Sequence, residues 1–167
     1  MTASRSSPKE QVLICEILVS TTGILKATLG SCVGIALFSR KPRICGLAHC
    51  LLPMAPPGKE TQDARYANQA VRNLMRAMGV AAKPSRNLTA YLSGGANVLH
   101  LPQHPGRKHI GELNLEACKA ELYQLGIHLE EIETGGELAC NMLVDCVAQT
   151  VTSSRILSFP ESPLEQS

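Results

Sequence analysis

The chain has 167 residues, 44% apolar and 18% charged, with a formal net charge of +2; this is the balance of one globular domain with a core of its own, and it excludes a disordered chain. No block of like charge supports nucleic-acid or membrane-surface binding, and no apolar stretch reaches the roughly 18 residues of a membrane span. With no Trp, three Tyr and two Phe, the core must be aliphatic.

The first residues, MTASRSSPKEQ, lack the apolar segment of a signal peptide. None of the seven cysteines forms a C-x-x-C pair, which predicts free thiols in a reducing cytosol. Residues 1–10 and 158–167 read as flexible tails around a single domain, 11–157.

Val12 to Val19 is rich in β-branched residues and reads as a first strand, stopped by Ser20-Thr21-Thr22-Gly23. Ile24 to Leu29 leads into Gly30. Two apolar runs, Val33 to Phe38 and Ile44 to Leu52, flank the basic link Ser39 to Arg43 as a β-hairpin with a longer loop. Its register decides the chemistry. With Phe38 opposite Arg43, Cys32 faces His49 across the ladder at a Cβ separation of roughly 4.5 to 5.5 Å. With Phe38 opposite Ile44, Cys50 takes that place and His49 turns away.

The segment MAPPGKETQDARY carries prolines and a glycine that forbid regular structure as far as Glu60; it is either a lid, a recognition surface or an ordinary connection. Ala67, Ala70, Val71, Leu74, Met75 and Met78 then recur at helical spacing, with Asp63 as N-cap and Gly79 as stop. A second helix is predicted from Leu115 to Leu125, beginning after Asn114 and ending at Gly126. Leu88 to Leu92, Ile127 to Ile132 and Met142 to Val151 read as strands, the last one continuous. The class is α/β (α+β) around a mixed sheet.

Cys32 stands out from the other cysteines because Gly30 and Ser31 precede it. They make a tight turn whose amides, that of Cys32 included, are candidate oxyanion donors. His49 is the candidate base that would deprotonate the thiol. The bland alternatives are an inert buried thiol and a core histidine with satisfied hydrogen bonds. His100, His104 and His109 lie in a loop, and His128 falls on the polar side of its strand. Zinc held by Cys32, Cys45, His49 and Cys50 fits poorly, because structural zinc favours closely spaced ligand pairs and Cys50 points away from Cys45 and His49.

The LGSCV segment, with a histidine 17 residues after the cysteine in an AH-x-x-LP context, resembles the chemoreceptor glutamine deamidase family, CheD. RYANQAVRNLMRAMG is similar to that family's helix after the active-site hairpin, SGGANVL to its paired-glycine segment, IGELNLEACKAELYQLGI to its second helix and ETGGELA to its late diglycine turn. The resemblance runs from Val12 to Ile156. It implies a layered sandwich of a largely antiparallel sheet with two main helices, Cys32 as nucleophile and His49 as base.

By the same resemblance the activity is that of a protein-glutamine glutaminase acting on the cytoplasmic helices of chemotaxis receptors, with glutamyl methyl esters as a further substrate class. No metal or organic cofactor is implied, and a cytoplasmic monomer is expected. A CheC-type phosphatase is an implied partner; a weakly active or inactive regulatory module binding it and receptors is the alternative. The family carries a threonine six residues before its cysteine, where this chain has Lys26. Thr28 is the expected supporting residue, with Thr22 or no side chain as alternatives, since its hydroxyl can accept from the imidazole N–H and a lysine ammonium cannot; the competing role for Lys26 is to stabilise the Cys32 thiolate. Cys15 and Ile17 stand where the family tends to have glycine or alanine, and Ala139-Cys140 where Gly-Arg is common.

Overall fold

The structure is a computed structural model and describes residues 8–81, 83–100, 102 and 104–157. Among the described residues, nine strands form two sheets. The first has the order β1 (Lys9–Gln11), β3 (Ile24–Leu29), β8 (Cys140–Asp145), β9 (Thr150–Arg155). The second has the order β2 (Ile17–Ser20), β5 (Arg43–Cys50), β4 (Val33–Arg40), β6 (Leu88–Gly94), β7 (His128–Thr134). Of these strand pairs β1–β3 and β6–β7 are parallel and the rest antiparallel. The two main helices are α1 (Ala67–Met78) and α2 (Ile110–Gln124).

These elements stack as sheet, sheet, helices. Leu25, Ala27 and Leu29 of β3 and Met142 and Val144 of β8 pack against Ala36, Phe38 and Leu47 of the β4–β5 hairpin. The opposite face of the hairpin, with Val33, Ile35, Leu37, Ala48 and Cys50, meets Val71 and Leu74 of α1 and Leu115 and Leu122 of α2. Alternate residues of the hairpin thus enter two different cores, which is why its strands read as unbroken apolar runs. The expected layered α+β class holds, with the strands divided between two sheets.

Several local expectations are corrected. Val12 to Val19 is no single strand: β1 belongs to one sheet and β2 to the other, and Val12 to Glu16 crosses between them through a turn in which Cys15 has φ 70°. That left-handed conformation suits glycine, one of the two residue types, glycine or alanine, that the resemblance implied there. Pro8, Lys9 and Glu10, placed in the N-terminal tail, join β3, Pro8 O by accepting from the Ile24 amide at 2.9 Å and Lys9 and Glu10 by ladder pairing; the rest of that tail, 1–7, and the C-terminal tail 158–167 lie outside the described residues.

Met142 to Val151 is a hairpin, because Asp145 Oδ1 accepts from the amides of Val147 and Ala148, both at 3.0 Å, and turns the chain into β9. Helix α1 starts from Tyr66 without a side-chain cap, while Asp63 Oδ1 takes the Arg65 amide instead. Helix α2 begins at Ile110, capped by His109 Nδ1 accepting from the Glu112 amide at 3.3 Å, so Asn114 lies inside it. Cys45 and Cys146 form a disulfide between the two sheets, leaving Cys15, Cys32, Cys50, Cys118 and Cys140 free; the expectation of seven free thiols is corrected accordingly.

Candidate active site

β3 ends at Leu29 in one sheet and β4 begins at Val33 in the other, so Gly30-Ser31-Cys32 carries the chain from sheet to sheet. Each carbonyl of this turn is held. Gly30 O accepts from the Ala96 amide at 2.9 Å, Ser31 O from Asn114 Nδ2 at 3.0 Å and Cys32 O from the Gly95 amide at 2.9 Å. The amides of Ser31 and Cys32 donate to no other residue's main chain among the described residues, and the Cys32 amide lies against its own thiol. The paired-glycine segment has a steric reason: a Cβ on Gly94, whose φ is 95°, would lie 2.3 Å from Cys32 O.

The hairpin takes neither of the two registers considered from sequence. Its connection is only Lys41-Pro42, Phe38 pairs with Cys45, and His49 lies opposite Gly34. Because this differs from the Phe38–Arg43 register by two residues, side-chain parity is kept and His49 points to the same side as Cys32. Cys32, one residue before the ladder begins, is then at the position diagonal to His49, a separation of typically roughly 7 to 8 Å, somewhat less between Cβ atoms, that an aromatic ring can span. Gly34 leaves the position directly opposite the imidazole without a side chain.

His49 is held from several directions. Its ring Nδ1 lies 3.0 Å from Val12 O. A carbonyl can only accept, so Nδ1 carries the proton and Nε2 presents a lone pair. Nε2 is buried and has no hydrogen-bond partner among the described residues, the Cys32 thiol included. The backbone is fixed too: the His49 amide donates to Glu16 O at 3.0 Å and His49 O accepts from the Cys15 amide at 2.9 Å. The turn from Val12 to Glu16 therefore seats both the main chain and the ring of His49.

Both groups are buried, Cys32 at 7% and His49 at 3% exposure. Burial pushes the Cys32 thiol up to about 11, the nearby Cys15 thiol adds to the rise, and the Cys32 amide opposes it. Burial also lowers His49, against the Val12 carbonyl and the Glu16 carboxylate, which both favour imidazolium. Both shifts favour a neutral thiol and a neutral imidazole over a stored ion pair. A cleft of about 190 Å³, lined by Ser31, Ala96, Asn97, Val98, Leu99, His109 and Ile110, opens beside the turn.

Thr28 does not reach this site. Side chains alternate along β3, so Leu25, Ala27 and Leu29 enter the core between the sheets while Thr28 is exposed on the outer face, where its hydroxyl donates to Asn141 Oδ1 at 2.8 Å. Lys26 shares that outer face, but its carbonyl accepts from the Val12 amide at 2.7 Å. Position 26 thus connects to the base through main chain: Lys26 O holds Val12, and Val12 O holds His49. Sequence reasoning missed Val12, because a carbonyl acceptor leaves no trace in residue type. It read Asn114 only as a helix boundary; an asparagine among apolar helix positions was the signal available.

The loop after the hairpin is pinned to α1. Asn73 Nδ2 donates to Thr61 O and Asp63 O, both at 2.8 Å, and Gln69 Oε1 accepts from the Thr61 amide at 3.0 Å. In this state it is an ordered connection.

Residues 51–155 match the family model described as CheD chemotactic sensory transduction. The chain is 36% identical over 137 residues to a probable chemoreceptor glutamine deamidase CheD of Bdellovibrio bacteriovorus, covering 81% of this chain and 88% of the relative. It is 36% identical over 126 residues to a protein of the same name from Archaeoglobus fulgidus, covering 74% and 78%. Against the chemoreceptor glutamine deamidase CheD of Halalkalibacterium halodurans it is 33% identical over 115 residues, covering 68% and 71%. With the family model matched over more than half of its length and relatives of this similarity along most of it, the chain belongs to the CheD family.

Proposed function

We propose that the protein deamidates glutamine side chains of chemotaxis receptors, with Cys32 as nucleophile and His49 as base. The observation that carries the assignment of roles is the buried, unpartnered Nε2 of His49 on the Cys32 side of the hairpin, its tautomer set by Val12 O. Membership of a family whose relatives bear the name chemoreceptor glutamine deamidase supports the substrate class.

Nε2 accepts the thiol proton as Sγ attacks the amide carbon, giving a tetrahedral oxyanion and an imidazolium. The imidazolium returns the proton to the leaving nitrogen, and ammonia departs from a Cys32 thioester. Water, deprotonated by Nε2, then attacks the thioester carbonyl; the Cys32 sulfur leaves and regains a proton, and the product is glutamate. Because the resting pair is neutral, the thiolate is made during attack, when substrate shields it from water. Glutamyl methyl esters pass through the same acyl-enzyme with methanol as leaving group. Each conversion of glutamine adds a negative charge to a receptor helix, which biases a two-state signalling element.

Incubation with the cytoplasmic fragment of a receptor tests this reading. Glutamine-to-glutamate conversion, read by mass spectrometry with stoichiometric ammonia release, is expected; an unmodified fragment at enzyme excess would overturn it. A CheC-type phosphatase is the second partner to be tested, by co-purification.

A further inference from the structure

We propose that Asn114 is the positioning residue of the oxyanion site: by holding the Ser31 carbonyl it orients the peptide that ends in the Cys32 N–H. This rests on Cys32 being the nucleophile. Asn114 is completely buried in α2, where asparagine is a poor helix former and an unpaired amide is costly. Its Nδ2 donates to Ser31 O at 3.0 Å and to Leu51 O at 3.1 Å, whereas its Oδ1 is buried without a partner among the described residues. Two carbonyl acceptors fix which end of the amide faces them, since the reverse orientation would set oxygen against oxygen. The side chain is thus placed for its donors.

Those two bonds join the turn that carries the nucleophile to the strand end that carries the base, one residue before Cys32 and two after His49. The Ser31–Cys32 peptide is trans, so its N–H points opposite to its C=O. With the carbonyl drawn to Asn114, the Cys32 N–H faces away from α2; it lies near enough to its own sulfur to favour the thiolate. A peptide flip would remove this donor. Gly30 O and Cys32 O are held by main-chain amides, whereas Ser31 O is the carbonyl of the turn held by a side chain. The approach of α2 is close: a Cβ on Gly111 would lie 2.4 Å from Gly95 O.

The test compares Asn114→Leu and Asn114→Ala with wild type in receptor-fragment deamidation and, in parallel, in alkylation of Cys32 by iodoacetamide, a displacement that forms no oxyanion. The expected result is a fall in kcat of about 10²-fold, the loss typical of one oxyanion donor, with KM changed by no more than about twofold and the alkylation rate, which feels only the weaker contact of that N–H with the resting thiol, by less than about tenfold. Unchanged kcat, or parallel loss of both rates, would overturn the proposal, the latter by making Asn114 a purely structural residue. If neither variant folds, wild-type protein trapped by a receptor peptide with glutamate semialdehyde at the target position serves instead. The Cys32 amide proton should then move downfield in the NMR spectrum as it bonds the hemithioacetal oxygen, and an unmoved resonance overturns the proposal. If wild-type protein with Cys32 alkylated still deamidates, the nucleophile assignment falls and this inference with it; unchanged kcat in the variants, with alkylated wild type inactive, sinks this inference alone.

Discussion

Val12 O and His49 Nδ1 lie 3.0 Å apart, so a main-chain carbonyl sets the tautomer of the candidate base. A carboxylate in that position would hold a charge against the ring and raise its pKa. A carbonyl orients it with only a dipole. Burial then dominates, and His49 sits below its usual 6.5.

The pH dependence follows. The base works only as neutral imidazole, so kcat/KM should fall as pH drops through the lowered His49 value, placing the acid limb below pH 6.5. Stability shifts in the same window: the unfolded chain binds a proton on His49 between 6.5 and the lowered native value while the native protein does not, so the contribution of neutral His49 is present above 6.5 and lost as pH falls. A pH–rate profile on a receptor fragment measures the limb; a midpoint above 6.5 would contradict the assignment of His49.

Thr28→Val and Lys26→Met should each leave the deamidation rate within about twofold of wild type, since both side chains lie on the outer face of β3, away from Cys32 and His49. Thr28 bonds Asn141 on the outer face, and position 26 holds Val12 through its carbonyl, which every residue has. A large loss confined to Lys26→Met would mean that its ammonium acts at the thiolate.

Thiol titration checks the cross-sheet link. The unfolded, unreduced chain should titrate as the five free cysteines, and all seven should appear only after reduction. The bridge closes a sequence separation of 101 residues, so its loss should lower stability by about 2 to 4 kcal/mol, read as a lower denaturation midpoint. Titration of all seven without reductant would remove the bridge from the account.

What the sequence conveyed of this fold divides along physical lines. The helix over Ala67–Met78 was legible because its apolar positions all enter one core, and Gly79 ends it in a left-handed conformation with φ 68°. The hairpin was legible as a hairpin, but its register was not, since Val33 to Phe38 is apolar on both faces and pattern alone cannot choose a pairing. The crossing at Val12 to Glu16 was hidden by apolar residues that read as one strand. Cys32 and His49 could be found because side chains carry their chemistry; Val12 O could not, since any residue there supplies the same carbonyl.

Ammonia release from a receptor fragment by Cys32→Ala, compared with wild type and Cys50→Ala, tests the central claim most directly. The Cys32 variant should release none while keeping the wild-type unfolding transition, and Cys50→Ala should retain turnover because Cys50 lies on the helix-facing side of the hairpin. Continued release by Cys32→Ala, or inactivation by Cys50→Ala alone, would contradict the assignment of the nucleophile.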